Sequence, residues 1–586
     1  MRYEYRNGAI RVSGSYFEEM RYDISNEKIA VLADGKGGLL SYRVADKGED
    51  RLSTFFAFSL SLNGQPLDPY LEKTVEMIGR TQSVSLPEAG VTTALFLSKD
   101  DNGVFFEISA KAGDILSVTL NCRNAKSETH LDSDFIRGAN FLLSSSEKGD
   151  WITENDAFYL EARGSVKLFF SFDNDEAAHR QAFLAFDRKK AEAKEEIEQV
   201  SVPASVKTEE EKALYLAAYF TALENHKTLG SFRAFAAGIA YLEPLRTYFR
   251  DGYFTLLPLY LSHPDYVRDE ILTLARGIAP DGSCPSAVKR DFTAFWGDHF
   301  DSPSFFVMMI SDYVRHTDDE TLLEEKIGDV TLLKLADKVL TKLSARADET
   351  GLLYKAGDYN KRDWADEVNR NGYVTYVEAL YARALACASS LYQGRDEAAS
   401  AKYEAAYRKV KDAINTLLFD REKGYYVNYK TRDFTEDNLS VDTVFTLLFG
   451  IADKEKAESV LDKMEALLET RNNQAQKGGD FGVMSVYPLY KERRATAHKS
   501  MRPFDYHNGA NWCYLTAMYA YAKYLYGRDY AYPLLSCFSY NVRRGHYTPV
   551  EYFSPCAPTG GSLQGWSAAI AFTYQYIGKA SFFDLK

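Results

Sequence analysis

Residues 176–200 read EAAHRQAFLAFDRKKAEAKEEIEQV, and the chain changes character across them. The segment is rich in strong helix formers and ends highly charged, as a solvated helical connector between two domains would be. On its N-terminal side the apolar spacing is close to two and turn residues are frequent. Ala9–Gly14, Leu52–Leu62 before Asn63-Gly64-Gln65-Pro66, Val104–Ala110 after Asp101-Asn102-Gly103, and Phe158–Phe172 read as strands. The absence of any long helical pattern before residue 176 makes residues 1–185 an antiparallel β-sandwich domain, with residues 186–206 as a helical linker.

Beyond it the period shifts to 3.6, in segments near 208–226, 253–262, 265–276, 304–316, 319–345, 372–393, 398–418, 440–449, 453–468, 508–526, 529–543 and 563–578. An even number of helices joined by alternating short and long connections points to hairpins packed in a ring, an all-α (α/α)6 toroid over residues 207–586. The long connections, 277–303, 350–371, 470–507 and 544–562, combine Gly and Pro with clustered Trp, Tyr, Asp, Glu and His. Long loops of this kind are where function concentrates, and these are expected to line one mouth of the ring.

The composition narrows the chemistry. With 586 residues, 46% apolar and 26% charged, the chain can bury a large core in more than one domain. Its net charge of −13 is spread through the sequence and argues against a nucleic-acid partner. No apolar run is long enough for a membrane helix, and the start MRYEYRNGAIRV carries charges where a signal peptide is apolar, so a cytoplasmic location without a membrane partner is expected. The six cysteines form no CxxC pair and read as buried thiols, with no metal site. Tyr, Phe and Trp reach 14%, which suits sugar rings and suits any large core as well.

Five clusters carry candidate chemistry. In Tyr248-Phe249-Arg250-Asp251-Gly252-Tyr253 the Asp is an ordinary helix cap, or Arg250 orients Asp251 toward sugar hydroxyls. Phe295-Trp296-Gly297-Asp298-His299-Phe300-Asp301-Ser302-Pro303 offers Trp296, Asp298 and Asp301, the last able to cap the next helix and still face the mouth. The run from Asp363 through Trp364, Ala365, Asp366 and Glu367 to Gly372 sets three carboxylates beside an indole. Such a cluster is solvated in the ordinary case, whereas partial burial would raise one carboxyl enough to keep it protonated as a proton donor. Tyr506-His507-Asn508-Gly509-Ala510-Asn511-Trp512 precedes an apolar helix, where Asn508 is a cap or a sugar contact. Glu551, among Tyr547, Pro549, Tyr552, Phe553 and Pro555, is placed unlike a surface Glu and reads as a base, with Trp566 following.

The order of β-sandwich, helical linker and helical barrel resembles glucoamylase-type enzymes, the amylo-1,6-glucosidase part of glycogen debranching enzymes, glycoside hydrolase family 63 and family 37 trehalases. Phe249-Arg250-Asp251 is similar to their substrate-binding Arg-Asp, and Asp301-Ser302-Pro303 to the Asp-Ser/Ala-Pro before their fourth helix. Trp364-Ala365-Asp366 resembles the Trp-Met-Asp of debranching enzymes and the Asp-Trp-Asn-Asp of family 94 phosphorylases, which implies Asp366 as general acid with Asp363 as the fallback. Glu551-Tyr552-Phe553 with Gly565-Trp566-Ser567 resembles the general-base segment of families 63 and 37. The Gly-x-Asp-x-Ser acid segment of those two families is absent, and Tyr506-His507-Asn508-Gly509 continues as Asn511-Trp512 where the related motif continues Val-Trp-Pro. The resemblance implies an inverting exo-glycosidase for an α-linked gluco-configured di- or oligosaccharide, with no cofactor, and with Arg250, Asp251, Trp296, Asp298, Asp301, Asp363, Trp364, Glu367, Tyr506, His507, Asn508, Trp512 and Trp566 around a small carbohydrate. A disaccharide phosphorylase of the same architecture and a non-catalytic carbohydrate-binding protein are the alternatives.

Overall fold

The computed structural model describes residues 1–585 except 16–19, 48–54, 69, 124–129, 133–134, 138–140, 153–156, 174, 358–361, 492–497 and 557–558. It divides into two compact units, one of residues 1–231, 238–245 and 541–549, the other of residues 232–237, 246–540 and 550–586.

The first unit holds two antiparallel sheets. Strands Lys73–Ile78 and Thr81–Leu86 alternate buried and half-buried residues, as strands with one face on a core do. Between strands Phe55–Leu62 and Gln65–Pro66, Asn63 (φ 51°) and Gly64 (φ 80°) adopt the left-handed pair that a two-residue hairpin turn requires. Residues 52–54 of the expected strand lie outside the described residues. The stretch expected as one strand over 158–172 is two, Ala157–Arg163 and Ser165–Ser171, because Gly164 (φ 84°) breaks it. Residues 176–200 form helices Glu176–Leu184 and Phe186–Glu198, and these dock on the sheet through Ala182, Phe186 and Ala193 against Phe96, Phe105 and Phe169. Buried Arg80 pairs with Glu196 of the second helix. Helix Glu209–Asn225, closed by a Thr208/Glu211 capping box, packs on strands Arg2–Arg6, Tyr22–Ser25 and Lys73–Ile78.

The second unit is helical, and its helices alternate between two kinds. Phe249–Leu256, Ser302–Thr317, Thr375–Tyr392, Phe445–Leu448, Cys513–Leu525 and Ala569–Tyr576 are buried nearly all round. Between them in sequence come Pro264–Arg276, Leu332–Ser344, Glu397–Leu417 and Lys454–Leu467, buried on one face only, and Ala531–Arg543. Aromatic rings fill the space between the buried helices: Phe254 touches Phe305, Phe445 and Tyr514 at centroid distances of 5.6, 5.9 and 4.7 Å. Much of the aromatic content is therefore core. The segment expected as one helix over 319–345 is a 3-10 turn, Glu320–Glu324, a strand pair about Gly328 (φ 62°), and helix Leu332–Ser344. Among the described residues no helix is long and apolar enough to cross a membrane. The cysteine reading needs one correction, since Cys556 is exposed; the Cys122 side chain lies outside the description.

Candidate active site

Short strand pairs hold the loops that precede the buried helices. Arg246–Tyr248 pairs with Pro285–Lys289 and leads directly into helix Phe249–Leu256. Tyr373–Val374 pairs with Tyr429–Lys430, Leu439–Ser440 with Val486–Tyr487, and Asn511–Trp512 with Tyr552–Phe553. The last pair sets Trp512 opposite Tyr552, next to Glu551.

Side chains at the starts of the six buried helices then touch in a closed circuit. Arg250 Nη1 donates to Asp301 Oδ2 at 2.9 Å, and the Tyr376 hydroxyl donates to the same oxygen at 3.3 Å. Arg370 Nη1 and Trp364 Nε1 donate to Asp442 Oδ2 at 2.7 and 2.6 Å. Trp364 meets Trp512 edge-on at 5.3 Å, and Trp512 meets Trp566 at 5.6 Å. The Arg250 guanidinium lies over the Trp566 ring at 5.9 Å, and Gln564 Nε2 donates to Asp251 Oδ1 at 3.1 Å. None of these helix starts carries a side-chain cap. Asp251 sits in the first turn rather than at the cap, Asp301 occupies the cap position without a capping bond, and Asn508 lies before the helix, accepting from the Tyr490 N–H at 2.8 Å.

The carboxyls of this circuit have different electrostatic environments. Burial alone would raise Asp363, but Arg370 and Lys355 more than offset it and hold the carboxyl ionised, far below its ordinary range. Arg370 Nη2 donates to it at 2.6 Å and Lys355 pairs with it. Burial prevails at Lys355, which is pulled below its ordinary value despite Asp363; the carboxylate stays charged because it faces two cations. Burial would also raise Asp301, but Arg250 and the 2.6 Å contact with His299 Nδ1 keep it low. Asp366 goes the other way. Burial pushes it up to about 7 against the pull of Arg250, with Glu367, Asp363 and Glu551 adding to the rise. Its side chain keeps 29% of its surface open, so the carboxyl is enclosed by protein yet reachable. Burial likewise lifts Asp251 to about 7, with Glu551 again contributing. Glu551 accepts from the Gly561 N–H at 3.3 Å.

Of the residues expected at the site, Arg250, Asp251, Asp301, Asp363, Trp364, Asp366, Glu551, Tyr506, His507, Trp512 and Trp566 come together. Glu367 accepts from the Ser500 N–H at 3.4 Å at the edge of this group. Asp298 is engaged elsewhere, accepting from the Cys284 N–H at 3.2 Å and pairing with Arg346, and Trp296 is 55% exposed with its ring against Phe295. His299, Lys355, Arg370, Tyr376, Asp442, Tyr514 and Gln564 escaped the sequence reading. Arg370 and Asp442 do lie at a quoted cluster and within a predicted helix, but a buried ion pair leaves no periodicity. Among the described residues no group of His, Cys, Asp and Glu has the arrangement to hold a metal ion.

Sheets followed by a helical unit with this circuit of carboxyls and aromatics define a six-hairpin glycosidase-type fold. The chain belongs to the amylo-α-1,6-glucosidase family, whose model matches residues 224–570. In structure it is similar to a bacterial glucoamylase complexed with acarbose, with a TM-score of 0.62 and 13% identity over 98% of each chain. It is also similar to a rhamnosidase from Klebsiella oxytoca with rhamnose bound, with a TM-score of 0.50 and 13% identity over 97% of this chain and 96% of the other. No curated protein matches it.

Proposed function

We propose that the protein is an inverting exo-glycosidase for an α-linked gluco-configured di- or oligosaccharide. The helices of its second unit would pack as hairpins of an (α/α)6 ring with the carboxyl circuit at one mouth. Asp366 is the general acid and Glu551 the general base that takes a proton from water on the opposite face of the sugar. One observation carries the reading: of the two Asp flanking Trp364, Asp363 is locked as a carboxylate by Arg370 and Lys355, whereas burial pushes Asp366 up to about 7, where about half of it still holds a proton at neutral pH. Arg250, pinned by Asp301, and Asp251, held by Gln564, would grip hydroxyls of the terminal sugar, and Trp364, Trp512 and Trp566 would supply apolar faces. The water-mediated route needs the two carboxyls roughly 6.5–9.5 Å apart.

Incubation with a panel of α- and β-linked disaccharides, followed by proton NMR, tests the reading. The first product of an α-glucoside should be the β-anomer, formed without phosphate. An α-anomer would refute inversion, and strict dependence on phosphate would replace hydrolysis by phosphorolysis.

A further inference from the structure

His507 is 1% exposed, and its ring is caged by aromatics. Trp512 stacks on it at 4.9 Å with an interplanar angle of 11°, Trp364 meets it edge-on at 5.0 Å, and Tyr506 leans on it at 4.1 Å. The cage leaves the ring no freedom to rotate out of plane. Its two nitrogens have different surroundings. Nδ1 faces Ser500 Oγ at 3.5 Å, while Nε2 is buried with no hydrogen-bond partner and lies 3.9 Å from Asp366 Oδ1.

The bonding at Ser500 suits one tautomer, the one with Nδ1 as acceptor. Ser500 Oγ accepts from the His507 backbone N–H at 3.3 Å, and its own proton can be directed at Nδ1. In that tautomer the imidazole proton sits on Nε2. The backbone carbonyl of Trp364, an acceptor only, also faces the ring.

We infer that His507 is a positioning residue for Asp366: its Nε2–H donates to Asp366 Oδ1, which leaves Oδ2 as the oxygen that carries the transferable proton and stabilises the carboxylate once that proton has gone. The inference rests on the reading of Asp366 as the acid. The separation of 3.9 Å is longer than a hydrogen bond and closes by about 1 Å when a sugar fills the site, as catalytic hydrogen bonds commonly do. The groups that face the imidazole are Asp366 and Asp363, the cations Arg370 and Arg250, and Ser500. Burial, followed by the two cations, holds the ring neutral and well below its ordinary range, so it acts as a fixed dipole and not as a second acid.

Two measurements on the full chain test this. In the wild type, nitrogen-15 NMR of labelled histidine should find His507 protonated at Nε2, bare at Nδ1 and neutral at pH 7; an Nδ1–H tautomer overturns the inference without any variant. The second follows the Asp366 carboxyl by carbon-13 NMR of labelled aspartate, the signal being assigned by its loss in Asp366→Asn. With glucose held at saturation so that the site is filled, His507→Phe keeps a ring and removes the donor, so the Asp366 midpoint should rise by about one pH unit, while His507→Gln, which returns a donor near Nε2, should restore it. An unchanged midpoint in a folded His507→Phe refutes the inference. The parent reading is tested separately with isomaltose and α-glucosyl fluoride, whose leaving groups need full and little protonation respectively. If Asp366→Asn hydrolyses isomaltose at the wild-type rate, Asp366 is not the acid, whatever His507 does. If Asp366→Asn loses isomaltose turnover but His507→Phe lowers both substrates equally, the acid stands and His507 does not position it.

Discussion

Replacing Asp363 by Asn removes the charge that two buried cations share while keeping the shape of the side chain. Asp363, Lys355 and Arg370 are all essentially excluded from solvent, and Arg370 is further tied to Asp442 at 2.7 Å. Breaking a buried pair by removing one partner costs about 3–5 kcal/mol, because the charge left behind has lost its compensation. The helical unit has roughly 340 residues, and an unfolding entropy near 2.1 cal/mol/K per residue converts that loss into a fall of about 4–7 °C in its unfolding temperature. Calorimetry of wild type and variant at neutral pH reads it directly. The pH dependence has a definite sign. The folded carboxyl of Asp363 is held far below its unfolded value near 3.9, so its contribution is whole above that value and is lost as the pH falls below about 4. The gap between the two proteins should therefore narrow on acidification. A variant that unfolds within about 1 °C of wild type at pH 7 would refute the reasoning, and with it the claim that Asp363 is locked in its ionised form.

Three further outcomes are expected. The kcat/KM profile should be bell-shaped with its alkaline limb near pH 7, where burial has lifted Asp366, and Asp366→Asn should lose about 10²–10⁴-fold in hydrolysis of an unactivated disaccharide while still binding sugar by calorimetric titration. Glu551→Gln should abolish hydrolysis to a similar extent, and azide should restore part of it as a glycosyl azide of inverted configuration; full activity in that variant would remove the base from the mechanism. Glu270 is fully buried beneath Gly252, where an added Cβ would collide with its carboxyl, and burial raises it to about 8. Its contribution to stability is present below the unfolded value near 4.3 and lost as the pH rises through about 8, so Glu270→Gln should gain on wild type across that interval in denaturant titrations.

The helices were legible because burial on one face or all round writes itself into apolar spacing. Tertiary contacts moved the boundaries: helix Cys513–Leu525 starts five residues later than its apolar pattern near 508, because Asn511 and Trp512 are taken into a strand pair with Tyr552 and Phe553. The site was legible as clusters but not as roles. Asp363 and Asp366 are indistinguishable by type and stand three residues apart; what separates them is Arg370 and Lys355 on one side and burial near further carboxyls on the other. Asp442 sat in plain view within a predicted helix, yet its partners Trp364 and Arg370 are more than seventy residues away. No local pattern carries such a pairing.

The six uncapped helix starts have a consequence for the exchange of side chains at this mouth. Around this circuit the acidic side chains Asp251, Asp301, Asp363, Asp366, Glu367, Asp442 and Glu551 outnumber the basic Arg250, Lys355 and Arg370. The longer of these helices bring the positive ends of their peptide dipoles to the same circuit, which offsets part of that excess. That compensation belongs to the main chain, and a mutation of a side chain does not remove it. Residues that choose between sugars can therefore be replaced one at a time while the field that sustains the carboxylates stays in place, so this framework can shift from one sugar to another without being refolded around each change.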